Sequence, residues 1–374
     1  MPRVPKPPWY RKTSYKSNPL ATLHNEILDL CDLLMPTKQE IDGRATALAS
    51  VKEMILAILD STDCRPRVEV YGSEFTGLVT PGSDLDLVVM GRVPDDAFTK
   101  LARGVRERAE QGEVKHVEVL GRAKVPLVKF VHTKTGLAID VNVKNGTGLL
   151  SGQTMKDAMT QMKQVRPLTL VLKVYLAQKG MNKTFTGGIG SFMVQLMVIA
   201  LVQKCNREAR RNGHGPPTDL GYLLCEFFEF YGTKLAYPTT GITLLGPEGG
   251  FFNKTERGWY SSTRPDLLAL QNPLEPDVDI GAKAFKVNFF RRTFWATSQR
   301  LTRVITRARQ ANNESAAVGA LQYVINANNS ELQSRVLPPP VFCSAAFQEK
   351  PFPRRSTAYD DSSSTVTAKR KFSA

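Results

Sequence analysis

The fold is decided by the stretch Val70-Tyr-Gly-Ser-Glu-Phe-Thr-Gly77 and by Pro81-Gly-Ser-Asp84-Leu-Asp86-Leu-Val-Val89, which follows it. The first stretch predicts a strand that ends at the Gly-Ser pair, and the second predicts a strand that begins at the Asp-Leu-Asp unit. Side chains alternate along a strand, so Asp84 and Asp86 project from one face while the leucine after each enters the core. The two carboxylates repel each other unless they share a hard divalent cation, and magnesium suits them best. The motif therefore predicts a metal site beside a sheet.

A third carboxylate is expected from a neighbouring strand, and Leu137-Ala-Ile-Asp140-Val-Asn-Val143 places one in an otherwise apolar β run. An unpaired charge would be unfavourable there. Taken alone, Asp140 is better explained as a strand-end aspartate bonded to backbone amides, and a single Asp-x-Asp pair is common in turns. The combination of Gly-Ser, Asp-x-Asp on a strand and an aspartate in a later apolar strand is far more specific. It predicts that Asp84, Asp86 and Asp140 are the catalytic and metal-binding residues.

The chain is strongly basic. Lys and Arg total 50 against 35 Asp and Glu, a formal net charge of +15 over 374 residues. Such a charge attracts a phosphate backbone through counterion release, so we expect a polyanionic partner. Two alternatives stay open on charge alone: the charge only keeps the protein soluble, or it binds acidic membrane lipids.

Neither a membrane span nor a secretory signal is indicated. No apolar run reaches the length of a span, and residues 1–16 are basic and proline-rich where a signal would be apolar. The five cysteines are scattered without a Cys-x-x-Cys pair, so neither a disulfide framework nor a zinc site is expected. We expect a soluble, intracellular protein without a membrane partner.

The composition and the hydrophobic pattern change along the chain and suggest five parts. Residues 1–18 hold prolines and basic residues, which predicts an extended basic arm outside the core. Two helical patterns in 19–66, which we expect to belong to the same helical domain as 151–336, lead into 67–150. There, five short β-rich runs and one helical stretch predict a mixed sheet domain. Residues 151–336 are nearly all helical in pattern, apart from turns and a short hairpin around 237–269. Residues 337–374 cannot bury enough apolar surface to fold and are expected to be disordered.

With these motifs the chain resembles the polymerase-beta-like nucleotidyltransferase superfamily and, within it, the nuclear poly(A) polymerases of TRAMP-type RNA surveillance complexes. The resemblance covers roughly residues 8–305. Besides the carboxylate motif it is carried by Leu23-His-Asn-Glu-Ile-Leu-Asp-Leu, Leu170-Val-Leu-Lys173, Phe185-Thr-Gly-Gly-Ile-Gly-Ser191-Phe192, Leu223-Leu-Cys-Glu-Phe-Phe-Glu-Phe-Tyr231, Thr240-Gly241-Ile242, Arg264-Pro265, Asn272-Pro-Leu-Glu-Pro276 and Asp279-Ile-Gly281.

The resemblance implies an α+β fold in which a catalytic palm, a mixed sheet with helices, is inserted into a helical central domain. Nucleotide would lie in the cleft between the two. Gly72 and Ser73 would contact the triphosphate, Lys173 would neutralise its β and γ phosphates, Ser191 would touch phosphate, and Phe192 would stack on the base. Four of these five residues also have a plain structural explanation: a turn for the Gly-Ser pair, a solvated helix position for Lys173, and core packing for Phe192.

The chain departs from the family pattern at three places. Phe192 stands where the family often has tyrosine, which keeps stacking but removes a phenolic hydrogen bond. Ala177 replaces a second lysine, for which Lys179 is a candidate substitute. The recognition segment, usually Asn-Asp-Val-Gly-Arg, reads Val278-Asp-Ile-Gly-Ala282 here and lies within a stretch near 272–282. No histidine occupies the position that uridylyl-selective relatives use, which favours ATP.

The function implied by the resemblance is template-independent addition of AMP from ATP to RNA 3′ ends, with two Mg²⁺ ions, or Mn²⁺, per site. Other NTPs, a uridylyl or cytidylyl transferase on the same scaffold, and an inactive RNA-binding scaffold subunit stay open as alternatives. RNA would be gripped by the basic arm and by the helix with the arginines Arg291, Arg292, Arg300, Arg303, Arg307 and Arg309, although a merely solvated helix face is an equal explanation. The resemblance also implies a nuclear location and, as partners, an RNA helicase and a zinc-knuckle RNA-binding protein.

Overall fold

The computed structural model describes residues 6–12, 18–60, 64–123, 125–246, 249–310 and 319–340. The helices are α1 (Pro19–Leu34), α2 (Lys38–Ile58), α3 (Gly72–Thr76), α4 (Ala97–Glu110), α5 (Thr147–Gln161), α6 (Val165–Gln178), α7 (Ser191–Arg211), α8 (Leu220–Glu229), α9 (Val287–Gln310) and α10 (Ser330–Gln333). The strands are β1 (Arg65–Tyr71), β2 (Leu85–Arg92), β3 (Val114–Leu120), β4 (Leu127–His132), β5 (Ala138–Val143), β6 (Thr240–Thr243), β7 (Gly250–Asn253) and β8 (Ala269–Leu270). The buried apolar side chains form two clusters, one around the sheet of β1 to β5 and one among the helices.

The five predicted strands of the sheet domain are all present and lie in the order β1-β2-β5-β4-β3. Only β2 and β5 are parallel, whereas the other neighbours are antiparallel. Leu85, Leu87 and Val89 expose 1% or less of their surface, so β2 is anchored by its core face. Burial at the middle of the sheet explains why β2 and β5 read as nearly continuous apolar runs.

Two helices cover the core face of this sheet. Val51 and Ile55 of α2 and Leu101 and Val105 of α4 share one apolar cluster with the leucines of β2. We expected both helices that precede the sheet to belong to the helical domain, but only α1 does. The difference arises because the apolar stripe of α2 faces the sheet, and periodicity alone does not say which partner a stripe will cover.

The helical domain is built around α1, in which fifteen of sixteen residues are buried. Its polar side chains have partners in other elements. The Nδ1 atom of His24 accepts a hydrogen bond from the amide of Leu220 at 3.0 Å, and the Glu26 carboxylate accepts one from the amide of Leu321 at 3.1 Å. Buried polar groups are tolerated when they are bonded in this way, and these bonds fix α1 against the start of α8 and the C-terminal segment.

Residues 6–12 of the predicted basic arm pack against the helical domain, contrary to the prediction of an arm outside the core. Trp9 is fully buried in the helical cluster, and Arg11 pairs with Asp29 at 2.9 Å and with Asp32 at 3.4 Å. The prediction failed because a single buried indole and a bonded guanidinium are enough to anchor a proline-rich segment. Of this arm, residues 1–5 and 13–17 lie outside the described residues.

The predicted turns and hairpin near 237–269 contain a second sheet in the order β7-β6-β8. Lys254, only 1% exposed, holds this region together. Its ammonium group donates to the carbonyls of Tyr237, Pro265 and Leu267 at 2.9, 2.8 and 2.9 Å. All three donors of the buried lysine are therefore used within the fold.

The described C-terminal segment packs back onto the N-terminal helices. Arg335 donates to the Leu33 carbonyl at 2.7 Å and pairs with Glu40 at 2.8 Å. The hydrogen bonds from Arg335 lower the pKa of Glu40 to about 2. The predicted disordered tail lies outside the described residues from position 341 onward. In the part of the chain that the structure describes, no helix combines the length and the apolar character needed to cross a membrane.

Candidate active site

The parallel pair β2 and β5 brings the three predicted carboxylates together. Asp86 lies directly opposite Asp140 in the strand register, and Asp84 immediately precedes β2. Oxygen atoms of Asp84, Asp86 and Asp140 lie within 4.8 Å of one another. The cluster therefore consists of neighbours in space that come from two strands about fifty residues apart in sequence.

The electrostatics of this cluster favour a bound cation. Burial, followed by the charges of Asp84 and Asp140, raises the pKa of Asp86 to about 7, against the opposing effect of Lys173 and Lys129. Burial also raises the pKa of Asp140, and the hydrogen bond from Lys129 opposes this shift. A divalent cation with oxygen ligands would relieve both the repulsion and the desolvation. Carboxylate donors at this spacing fit Mg²⁺ or Mn²⁺, which prefer hard oxygen ligands.

Gly72 is required by the approach of the backbone to Asp86. Its φ is +66°, and a Cβ atom built there would lie 2.0 Å from Oδ2 of Asp86. No other residue fits both the conformation and the space. The next residue, Ser73, has a buried hydroxyl oxygen without a hydrogen-bond partner among the described residues. Their predicted contact with triphosphate stays a prediction, and the orphan hydroxyl is compatible with it.

Arg44 of α2 is a site residue that sequence reasoning missed. Its guanidinium donates to the carbonyl of Ser83 at 2.8 Å and to that of Asp84 at 2.9 Å, and it pairs with Glu74. These bonds fix the turn that presents Asp84. A signal existed in the sequence: Arg44 lies one turn and two turns before Leu48 and Val51, on the side of α2 that is otherwise apolar.

Lys129 of β4 was also missed. It lies opposite Asp140 in the antiparallel register of β4 and β5, and its ammonium donates to Oδ2 of Asp140 at 2.5 Å. Lys129 therefore supplies a counter-charge to the third carboxylate. In the sequence it is one basic residue in a short β run, and only the pairing of the strands reveals its neighbour.

Lys173 reaches toward the same cluster from α6 of the helical domain. Its ammonium donates to the Leu78 carbonyl at 2.6 Å, and two turns earlier Arg166 donates to the Gly77 carbonyl at 3.3 Å. Burial lowers the pKa of Lys173 to about 8, against the opposing effect of Asp84 and Asp86. Lys173 is thus a partly buried cation near the carboxylates and does not occupy a solvated helix face. Its phosphate contact stays a prediction.

Ser191 and Phe192 form the first turn of α7. Ser191 is exposed, whereas Phe192 is partly buried and packs against the helical core. Core packing therefore accounts for part of the Phe192 surface, and its stacking on a base stays a prediction.

Asp279 of the recognition segment has a structural role in the fold. Its Oδ1 atom accepts hydrogen bonds from the amides of Leu270 at 2.9 Å, Gly281 at 2.8 Å and Ala282 at 3.3 Å. These bonds fix the backbone around the partly exposed Val278.

The arginine helix named in the sequence analysis is α9. Five of its six arginines are exposed, whereas Arg291 stacks over Tyr237 at 4.5 Å and pairs with Asp266 at 3.5 Å. Arg291 thus has partners within the fold. The RNA-binding role of the five exposed arginines stays a prediction.

The sheet domain has the fold of a nucleotidyltransferase palm, and comparison with known proteins gives the family. The model "Poly(A) RNA polymerase, mitochondrial-like, central palm domain" matches residues 23–157, and "Cid1 family poly A polymerase" matches residues 219–278. The polymerase core of TRAMP, a RNA surveillance complex, superposes with a TM-score of 0.71 and 25% identity, over 85% of this chain and 98% of the solved one.

Two relatives are each 30% identical to the chain. One is "Poly(A) RNA polymerase CID14" of Cryptococcus neoformans, matched over 80% of this chain and 39% of the relative. The other is "Inactive non-canonical poly(A) RNA polymerase protein Trf4-2" of Drosophila melanogaster, matched over 76% and 70%. The chain belongs to the non-canonical poly(A) RNA polymerase family. It spans 39% to 47% of the length of the first three curated relatives that it matches.

Proposed function

We propose that this protein is a template-independent poly(A) polymerase that transfers AMP from ATP to the 3′ end of RNA. The observation that carries the proposal is the convergence of Asp84, Asp86 and Asp140 at the edge of a palm whose fold and family are those of RNA polymerases of this type. The relative named "Poly(A) RNA polymerase CID14" supports the same activity, and the basic charge of the chain suits an RNA substrate.

The three aspartates would hold the catalytic cations. Two Mg²⁺ ions, or Mn²⁺, would when bound activate the RNA 3′ hydroxyl and neutralise the charge of the departing pyrophosphate. Asp84 and Asp86 would serve both ions and Asp140 the one at the attacking hydroxyl. The protein then supplies position and charge, which are its main means of accelerating phosphoryl-type transfers.

The remaining site residues would bind and orient the nucleotide. Gly72, which leaves room for Asp86, would also let the backbone approach the triphosphate. The Ser73 hydroxyl, which has no hydrogen-bond partner among the described residues, would donate to a phosphate oxygen. Lys173 would exchange its bond to the Leu78 carbonyl for one to the β or γ phosphate. Ser191 would add a further phosphate contact, and the exposed part of the Phe192 ring would stack on the base.

A uridylyl or cytidylyl transferase on the same scaffold is the second candidate, because Val278 does not exclude the other bases. The valine side chain cannot form a hydrogen bond, so at this position the protein has no side-chain reader of the base edge. We propose ATP as the preferred nucleotide because the larger adenine ring stacks better.

The proposal extends to a role in RNA surveillance or processing in the nucleus. The similarity to the core of an RNA surveillance complex supports this setting. An RNA helicase and a zinc-knuckle RNA-binding protein are the proposed partners. Association with these two classes, tested by co-purification from nuclear extract, is the measurement for this part of the proposal.

The decisive experiment is incubation of the purified chain with labelled oligo(A), Mg²⁺ or Mn²⁺, and each NTP singly. We expect extension with ATP and a loss of about 100-fold or more for Asp86→Ala, because one ligand of a shared cation site is removed. Asp42→Ala, which changes an exposed aspartate of α2, is the matched control. Extension with UTP alone would replace the proposal by the second candidate. A wild-type protein without activity on any NTP would make it a scaffold.

A further inference from the structure

Five exposed side chains of aromatic or basic character lie next to the start of α7 and α9. We call them the aromatic–lysine surface: Lys183, Phe185, Phe285, Lys286 and Phe289. Phe185, Phe285 and Phe289 expose 80%, 47% and 53% of their surface. Three large apolar rings in water are unfavourable for a free surface, and such a cluster indicates a binding site.

The two segments that carry this surface are in direct contact. The amide of Lys286 donates to the carbonyl of Gly187 at 3.1 Å. The ring of Phe285 covers Gly187 so closely that a Cβ atom there would lie 2.5 Å from it, and Gly187 has a φ of +80°. Residues 183–187 and 285–289 therefore form one continuous patch.

The charge of the patch is entirely positive. Residues 178–192 contain no aspartate or glutamate, and neither do residues 280–313. Lys183 and Lys286 are exposed, and neither pairs with a carboxylate among the described residues. Other lysines of the surface do form such pairs, namely Lys100 with Asp96 and Lys144 with Asp95. A protein partner could use such rings, but the missing acidic residues and the unpaired lysines select a polyanion.

The chemistry that fits both the rings and the charges is a single-stranded nucleic acid. Bases stack on exposed aromatic rings only when they are free of a duplex, and lysines beside the rings follow the phosphates. We propose that the aromatic–lysine surface binds the single-stranded RNA segment that precedes the 3′ end. This inference rests on the proposed function. Phe185 would stack one base and Phe289 another, while Lys183 and Lys286 pair with the intervening phosphates.

The experiment measures binding of fluorescein-labelled oligo(A) by fluorescence anisotropy, without NTP or divalent cation. The variant Phe185→Ala with Phe289→Ala should bind about 10-fold or more weakly, because each base stack contributes appreciably to affinity. Lys183→Gln with Lys286→Gln should flatten the dependence of log K on log salt by about 1.4 for two lost phosphate contacts. Tyr323→Ala, with a ring 44% exposed elsewhere, and Lys38→Gln on the first turn of α2 are the matched controls.

The substituted side chains are exposed, so the variants should keep the circular dichroism spectrum and melting temperature of the wild type. If the aromatic variant loses its fold, the lysine variant still decides the question through the salt slope. Unchanged affinity and unchanged slope in folded variants would overturn the proposal and assign the patch to another partner.

Extension assays separate this inference from the proposed function. A wild type that binds oligo(A) through the patch but extends it with no NTP would refute the polymerase proposal alone. A wild type that extends RNA while both patch variants bind normally would refute the patch alone. Crosslinking of RNA that carries 4-thiouridine near its 3′ end should place adducts within residues 183–187 or 285–289, and adducts confined to the sheet domain would contradict the proposal.

Discussion

Replacement of Asp86 by asparagine tests the electrostatic description of the carboxylate cluster. The substitution keeps the shape of the side chain and removes one of the three negative charges that lie within 4.8 Å of one another. We expect Asp86→Asn to abolish nucleotide transfer. In the absence of divalent cations we also expect it to make the protein more stable, because the cluster is held together against its own repulsion.

The size of the effect follows from the pKa of Asp86, which burial and the neighbouring carboxylates raise from 3.8 to about 7. The carboxyl group of Asp86 therefore binds its proton more tightly in the folded protein than in the unfolded chain. The stability that Asp86 contributes is therefore present below pH 4 and is lost as pH rises through 7. At pH 8 the loss corresponds to at most about 4 kcal/mol. A rise of the melting temperature by several °C is expected in the variant, at roughly 2 °C per kcal/mol for a chain of this size.

The assay is thermal unfolding of wild type and Asp86→Asn in EDTA at pH 8 and at pH 5, and again at pH 8 with Mg²⁺. The variant should melt higher at pH 8, and the difference should shrink at pH 5, where the wild-type carboxyl is largely protonated. Mg²⁺ should raise the melting temperature of the wild type more than that of the variant, since the proposed site would bind the cation only in the folded state. Asp42→Asn, on an exposed position of α2, is the matched control.

A variant that melts lower than the wild type at pH 8 would refute the reasoning. So would a stability difference that is the same at both pH values, because the charge of Asp86 would then not be its cause.

Substitutions at four further positions test other parts of the molecule. Arg44→Ala should lower kcat and weaken the apparent affinity for Mg²⁺ by about 10-fold, because the bonds to the carbonyls of the turn before β2 are lost. Arg44→Lys should have an intermediate effect, and an unchanged Mg²⁺ affinity in Arg44→Ala would contradict this role. Trp9→Ala should destabilise the protein by about 3 to 5 kcal/mol in denaturant unfolding, since the ring is fully buried, and a change below 1 kcal/mol would mean that the segment does not anchor the fold. Phe192→Ala should raise KM for every NTP, and Val278→Asn should sharpen the preference for ATP. Both predictions are tested by measuring kcat/KM of each variant for all four NTPs. If the wild type already prefers ATP over UTP and CTP by more than about 1000-fold, another side chain of the site must form hydrogen bonds to the base.

The carboxylate site was largely predictable from the sequence because its signals are local. Period-two alternation places Asp84 and Asp86 on one face of a strand, and an isolated aspartate in an apolar β run marks Asp140. The glycine before Ser73 was also readable from the motif, although its reason became visible only in the structure, where Oδ2 of Asp86 occupies the space that a side chain would need. The five strands follow from the same short apolar patterns.

What could not be predicted depends on which elements meet. Lys129 pairs with Asp140 because β4 lies antiparallel to β5 in one register, and a shift of one residue would move Lys129 to the other face. Arg44 reaches the turn before β2 because α2 packs on the sheet. The basic, proline-rich composition of the first residues suggested a free arm, and the burial of Trp9 overrode it.

The fold class, the cluster of three carboxylates and the family resemblance could therefore be predicted from the sequence alone, since all three are encoded in short-range patterns and residue types. The tertiary structure decided the counter-charge at Asp140, the anchoring of the N-terminal segment and the aromatic–lysine surface. Each of these joins residues from separate elements, as when the Lys286 amide meets the Gly187 carbonyl a hundred residues earlier in the chain. Side-chain identity is local, whereas register and packing are properties of the whole chain, and only the folded molecule brings such pairs into contact.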